Sequence, residues 1–142
     1  MDADRFVFDT NALVSAACFP RSFGRKALDI ATRAGKLLVS SDTLDELRTV
    51  LAREKFDRYV HRQDREAFFA EVCASAELVT ILQSVRVCRD PKDDKFLEVT
   101  VAGGASMIIT RDKDLLTLDP WRGIRIVEAD IFVLQFQAPG VP

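Results

Sequence analysis

Short runs of apolar residues, each followed by polar or acidic residues and then by a helical pattern, recur along the chain. The first run, Phe6-Val7-Phe8, leads directly into Asp9, and the run at 106–110 stops just before Asp112. Consecutive apolar residues are typical of strands buried on both faces, as in parallel sheets covered by helices. The repeated alternation therefore predicts an α/β fold with a parallel sheet.

The same reading predicts five strands, at 5–9, 36–40, 85–88, 106–110 and 124–127. Apolar residues at helical spacing predict helices before Pro20 and over 24–34, 42–53, 93–102 and 129–136, with one or two more in 55–82. Ser40, Ser41, Asp42 and Thr43 are all candidate N-caps of the third helix, and Thr43 with Glu46 has the spacing of a capping box. These elements predict a five-stranded sheet flanked by helices on both faces.

The 142 residues have the size of one domain, which we expect over 1–137, followed by a disordered tail over 138–142. The amino end lacks the cationic and apolar regions of a signal peptide, and no apolar run approaches membrane-spanning length. The three cysteines are scattered and form no CxxC pair. We therefore expect a cytoplasmic protein without disulfides that does not associate with a membrane.

Acidic residues follow the ends of several predicted strands. Asp9 follows the first strand, and Glu46 lies early in the helix after the second. Two further groups complete the set: Asp90, Asp93 and Asp94 after the third strand, and Asp112 and Asp114 after the fourth. In a parallel sheet these positions share one edge, the edge at which open α/β folds bind ligands.

Clustered carboxylates repel one another unless a cation lies among them, and oxygen ligands suit Mg²⁺ or Mn²⁺. With one histidine, His61, a histidine-rich metal site or a histidine base is disfavoured. The net charge of −2 gives no overall attraction to nucleic acid, so a polyanion would need a local basic patch or bound cations. A pair of such ions can hydrolyse a phosphodiester.

Four motifs in this order and spacing carry a resemblance that covers nearly the whole chain: VFDTN, SDTLDEL, DPKDDKFLEVTVAGGA and IITRDKDLL. Together they resemble the PIN-domain ribonucleases, and they are most similar to the branch regarded as toxins of type II toxin–antitoxin systems. The resemblance implies a single PIN-like domain, a Mg²⁺- or Mn²⁺-dependent endoribonuclease acting on RNA, frequent homodimers or higher oligomers, and neutralisation by a cognate antitoxin.

Carried over by position, the resemblance implies site residues in each motif. The family's catalytic, metal-binding acids fall on Asp9, Glu46, Asp94 and Asp112. Asp114 is a further candidate ligand, and Asn11 and Thr110 are expected to orient the acids beside them. Asp90 and Asp93 compete with Asp94 for the third position.

Two other functions remain open on the residues alone. The domain could be catalytically silent and bind RNA or protein, a reading that predicts RNA binding without cleavage. An aspartate-nucleophile phosphatase is disfavoured, because the position two residues after Asp9 is Asn11 and not the acid that such chemistry uses to protonate the leaving group.

Overall fold

The computed structural model describes residues 4–136 and contains five strands, all parallel. The strands are β1 (Asp4–Phe8), β2 (Gly35–Val39), β3 (Glu77–Leu78), β4 (Met107–Ile109) and β5 (Arg125–Val127). Their order is β3-β2-β1-β4-β5, so β2 and β3 lie on one side of the central strand β1, and β4 and β5 lie on the other. The predicted α/β fold and five-stranded parallel sheet are confirmed.

Within residues 4–136, seven helices connect or follow the strands: α1 (Thr10–Cys18), α2 (Phe23–Ala34), α3 (Ser41–Leu51), α4 (Arg62–Ser75), α5 (Asp94–Gly103), α6 (Lys113–Leu116) and α7 (Ala129–Phe136). Short 3₁₀ turns lie at Glu54–Phe56 and Pro91–Asp93. In the stretch predicted to be helical over 55–82, only α4 and the 3₁₀ turn at Glu54–Phe56 are helical, and the other predicted helices change only at their ends. The expected tail over 138–142 lies outside the described residues.

Side chains of β1 alternate between two apolar clusters, one on each face of the sheet. Phe6 and Phe8 pack with α1, α2, α3, α4 and α7, whereas Val7 packs with α5 and with Trp121. Successive side chains of any strand point to opposite faces of the sheet, and here an apolar cluster covers each face. Helices therefore lie on both faces, as the consecutive apolar residues predicted.

The predicted strand at 85–88 is wrong, and the third strand is Glu77–Leu78, inside the stretch predicted to be helical up to Leu82. α4 ends at Ser75, and Glu77 pairs with Leu38 of β2. Backbone N–H groups of the 85–88 segment donate instead to carboxylates of α5. Of this segment only Val85 is buried, so its backbone is held by the acids of α5 and not by a neighbouring strand.

The predicted capping box of Thr43 with Glu46 is also wrong, because α3 begins one turn earlier. Ser40 is the N-cap: its hydroxyl accepts the N–H of Thr43, and the Thr43 hydroxyl accepts the N–H of Ser40. This reciprocal pair satisfies the start of the helix. Glu46 then lies in the second turn, where its carboxylate is free to contact other elements.

β2 begins directly after α2, with no loop between them. A Cβ atom at Gly35 would lie 1.9 Å from the carbonyl oxygen of Asp4 on β1. Only glycine permits this close approach of the two backbones. None of the helices within residues 4–136 is both long enough and apolar enough to cross a membrane.

Candidate metal centre

Asp9 lies at the carboxyl end of β1, beside the point where the strand order reverses between β1 and β4. It is the N-cap of α1, and one carboxylate oxygen accepts the N–H of Ala12 at 2.9 Å. The other oxygen accepts the hydroxyl of Thr110, which follows β4. With an exposed fraction of 4%, the carboxylate is fixed in place and largely shielded from water.

Thr110 connects the first acid to the fourth. Its hydroxyl oxygen donates to Asp9 and accepts the backbone N–H of Asp112 at 2.9 Å, and its own N–H donates to the carbonyl of Val127 on β5. The residue is fully buried. These contacts agree with an orienting role for Thr110.

Asp93, Asp112 and Asp114 form the one group of three or more acidic, histidine or cysteine side chains, within residues 4–136, whose ligand atoms come together. One carboxylate oxygen from each lies within 4.8 Å of the others. Asp112 is the N-cap of α6, where its Oδ1 accepts the N–H of Asp114 at 2.8 Å. The crossover between β3 and β4 therefore brings α5 to the residues that follow β4.

The carboxylates of this region are difficult to ionise together. The pKa of Asp9 is raised to about 6, mainly because the carboxyl group is buried. The hydrogen bonds from Thr110 and Ala12 act to lower this pKa, and the Asp112 and Glu46 carboxylates act to raise it. Burial and the neighbouring Asp112 carboxylate raise the pKa of Asp93 to about 7. Desolvation and like charge are the ordinary causes of such shifts, and a cation among the acids would reverse both.

Asp94, the residue expected as the third acid, points elsewhere. Its Oδ1 accepts the N–H groups of Val87 and Cys88, at 3.1 and 2.8 Å, and its side chain is buried. Burial raises the pKa of Asp94, but these hydrogen bonds outweigh that effect and the net pKa is lowered. The structure brings Asp93 to Asp112 instead, so the adjacent candidate has the geometry expected of the third acid.

Glu46 borders the group from α3. Its Oε1 accepts the hydroxyl of Thr10 at 2.5 Å, and its Oε2 forms an ion pair with Lys95 of α5. It is close enough to Asp9 to raise the pKa of that carboxyl. Asn11, expected to orient Asp9, lies on the exposed side of α1, and Asp9 takes its hydrogen bonds from Ala12 and Thr110 instead.

Thr10 and Lys95 are the site residues that the sequence analysis did not identify. Thr10 stands between two residues that were selected, and its hydroxyl could have been considered because strand ends present polar side chains to this edge. Lys95 carries a weaker signal: a lysine in the first turn of a helix, where cations are disfavoured. A lysine in this unfavourable position was the sequence signal that a carboxylate lies near it in the fold.

The donor set suits a hard divalent cation. All the converging atoms are carboxylate oxygens, which Mg²⁺ and Mn²⁺ prefer. Asp9 and Asp93, with raised pKa values, are the groups that a positive ion would stabilise in the ionised form.

The model of the PIN domain family matches residues 5–114. The chain is also similar to the uncharacterized protein MJ1680 of Methanocaldococcus jannaschii. The two are 29% identical over 116 residues, which is 80% of this chain and 74% of that protein.

Solved structures share the fold at low sequence identity. VapBC2 of Rickettsia felis, bound to a DNA fragment from its promoter, has a TM-score of 0.60 at 12% identity, covering 86% of this chain and 96% of that one. VapBC-5 of Mycobacterium tuberculosis, from the VapBC family of toxin–antitoxin systems, has a TM-score of 0.54 at 19% identity, covering 87% and 98%.

VapC20 of Mycobacterium tuberculosis, a sarcin–ricin loop cleaving toxin, has a TM-score of 0.53 at 14% identity, covering 84% and 98%. The residues matched by the family model, 5–114, include every acid of the site. The chain belongs to the PIN domain family.

Proposed function

We propose that this protein is a divalent-cation-dependent endoribonuclease, acting as the toxin of a toxin–antitoxin pair. The observation that carries the proposal is the convergence of Asp93, Asp112 and Asp114 beside buried Asp9, at the carboxyl ends of β1 and β4. Membership of the PIN domain family supports it, as does the likeness to a sarcin–ricin loop cleaving toxin.

Asp9, Asp93, Asp112 and Asp114 would hold the ion, with Glu46 at the border of the group. Asp93 takes the place that the sequence analysis gave to Asp94. When bound, Mg²⁺ or Mn²⁺ supplies an acidified water and positive charge against the phosphodiester. In this proposal the chain's own residues fix the geometry: Thr110 and Ala12 hold Asp9, and the N–H of Asp114 holds Asp112.

Two exposed arginines lie beside the acids in sequence, Arg89 before Asp90 and Arg111 before Asp112. A guanidinium group binds phosphate oxygens in a fixed, bidentate geometry. We assign to them contacts with phosphates flanking the cleaved bond. This local positive charge offsets the acidic balance of the whole chain.

A protein antitoxin and a homodimer form part of the same proposal. The support is the likeness to VapBC complexes, together with exposed aromatic side chains at Phe19, Phe23 and Tyr59, which are 42%, 50% and 52% exposed. Large exposed apolar side chains that lie near one another mark interaction surfaces. Phe19 and Tyr59 are in edge contact, with ring centroids 5.0 Å apart.

The test is cleavage of RNA by the purified chain. We expect cleavage with Mg²⁺ or Mn²⁺ and none in excess EDTA, and a rate about 10³-fold lower for Asp112→Asn, because an ion-binding acid contributes several kcal/mol. Asp64→Asn, at an exposed acid of α4, is the matched control and should cleave like the wild type.

Cleavage that persists in EDTA, or that Asp112→Asn leaves unchanged, would contradict the nuclease proposal. RNA binding without cleavage in either metal would favour the catalytically silent alternative. For the toxin role, expression of the wild type should arrest growth of the host cell and Asp112→Asn should not. Equal growth of both strains would remove that part of the proposal.

A further inference from the structure

Both oxygens of the Glu46 carboxylate are already engaged by the chain itself. Thr10 donates its hydroxyl to Oε1 at 2.5 Å, and the ammonium group of Lys95 pairs with Oε2. The ion pair bridges α3 and α5, and it is partly buried, with side-chain exposures of 20% for Lys95 and 30% for Glu46. Such a pair is screened less by salt and water than a surface pair.

The position of Lys95 is unfavourable without Glu46. It lies in the first turn of α5, where the helix dipole disfavours a cation. The same turn is fixed because Asp94 accepts two backbone N–H groups from the 85–88 segment. Lys95 is therefore held where its ammonium group reaches the edge of the acid group, and Glu46 is the carboxylate that compensates it.

Glu46 is separate from the group that can share one ion. The carboxylate oxygens that lie within 4.8 Å of one another, among the residues that the structure describes, come from Asp93, Asp112 and Asp114, without Glu46. An ammonium group has no lone pair, so Lys95 cannot itself be an ion ligand. The acidic residues therefore form two parts. Asp93, Asp112 and Asp114 form no ion pair with a lysine or arginine among the described residues, whereas Glu46 is paired with Lys95.

We propose that the ammonium group of Lys95 occupies the place of a second divalent cation beside Glu46, so that this site binds one divalent ion per chain. The inference rests on the proposed function, since it concerns the same ion-binding site. Asp9, Asp93, Asp112 and Asp114 hold the ion, and Lys95 is a positioning residue that keeps the Glu46 carboxylate oriented. A second ion would have to displace Lys95 from Glu46.

The experiment counts bound Mn²⁺ by calorimetric titration of the EDTA-stripped, full-length protein. We expect one ion per chain for the wild type and two for Lys95→Met, which removes the charge and retains most of the side-chain length. Lys95→Arg preserves the charge and should remain at one. Lys92→Met is the matched control: it removes an exposed lysine of the adjacent 3₁₀ turn and should also bind one.

A double variant locates the second ion. Glu46→Gln combined with Lys95→Met should return the count to one, because the second ion depends on Glu46. Two ions in the wild type, a count that stays at one in Lys95→Met, or a second ion that persists without Glu46, each overturns the inference.

The wild-type count is decisive even if Lys95→Met fails to fold. A wild type that binds one ion, lost in Asp112→Asn, leaves the proposed function intact whatever the Lys95 variants do. A wild type that binds no Mn²⁺ overturns the ion-binding site itself, and with it both proposals. The two failures are therefore distinguishable.

Discussion

Asp93 and Asp94 are adjacent in the chain, yet they belong to two different regions of the molecule. Asp93 faces Asp112 and Asp114 at the strand ends, and burial with the nearby Asp112 raises its pKa to about 7. Asp94 faces the 85–88 segment; although burial acts against ionisation, the N–H groups of Cys88 and Val87 lower its pKa overall. One carboxylate lies among negative charges, and the other lies among hydrogen-bond donors.

The difference separates two uses of an acid at the start of a helix. A carboxylate satisfied by backbone donors stabilises the fold in its ionised form, with or without a metal ion. A carboxylate surrounded by other carboxylates is a cost to the fold until a cation arrives. The arrangement at Asp94 anchors the loop that precedes α5, and this anchoring presents Asp93 to the acid group.

The largest expected effect is on the rate of RNA cleavage, which we expect to depend on Asp93 much more than on Asp94. Asp93→Asn should lower the rate of RNA cleavage about 10³-fold, because it removes an ion-binding oxygen worth several kcal/mol. Asp94→Asn should lower it about tenfold, as expected for a residue that acts through the position of another. The measurement is single-turnover cleavage with saturating Mn²⁺. Equal losses in the two variants would break the comparison.

The next effect is on the free energy of unfolding, which we expect to depend on Asp94 more than on Asp93. Asp94→Ala should lower the free energy of unfolding by about 2–3 kcal/mol, because it leaves the Val87 and Cys88 N–H groups without their charged acceptor. Asp93→Ala in EDTA should raise it instead, since it removes a repelled carboxylate. Urea unfolding at pH 7 measures both. A destabilised Asp93→Ala would show that Asp93 is structural.

The third effect concerns Asp9 and depends on pH. Because its pKa is raised from 3.8 to about 6, the folded state binds the proton more tightly than the unfolded chain. This group's stability contribution therefore falls as pH rises from about 4 to 7. In EDTA at pH 8, Asp9→Asn should be more stable than the wild type by up to about 3 kcal/mol, the free energy to which a shift of about two pKa units corresponds.

That stability gain should shrink toward zero near pH 4, where Asp9 is protonated in the folded protein. Urea unfolding at pH 4.5 and pH 8 gives the two values. A gain that is independent of pH would mean that Asp9 carries no ionisation cost in the metal-free fold.

Local sequence was sufficient for much of the fold. Phe6-Val7-Phe8 followed by Asp9 predicted a buried strand with an acid at its end, since three consecutive apolar residues need cover on both faces. The short strand β3 was not predictable, because two paired residues carry no periodicity. The 85–88 segment looked like a strand, but its N–H groups bond to side chains.

The sequence by itself determined that Asp9 and Asp112 stand at the carboxyl ends of β1 and β4, since each closely follows a buried apolar run. Only the tertiary structure decided which of two adjacent carboxylates joins the group and which anchors a loop. Residues next to one another on a helix point about 100° apart, so the packing of Phe96, Leu97 and Val99 against the sheet sets which one faces Asp112. The same packing brings Lys95 to Glu46, a pairing that no local pattern could specify.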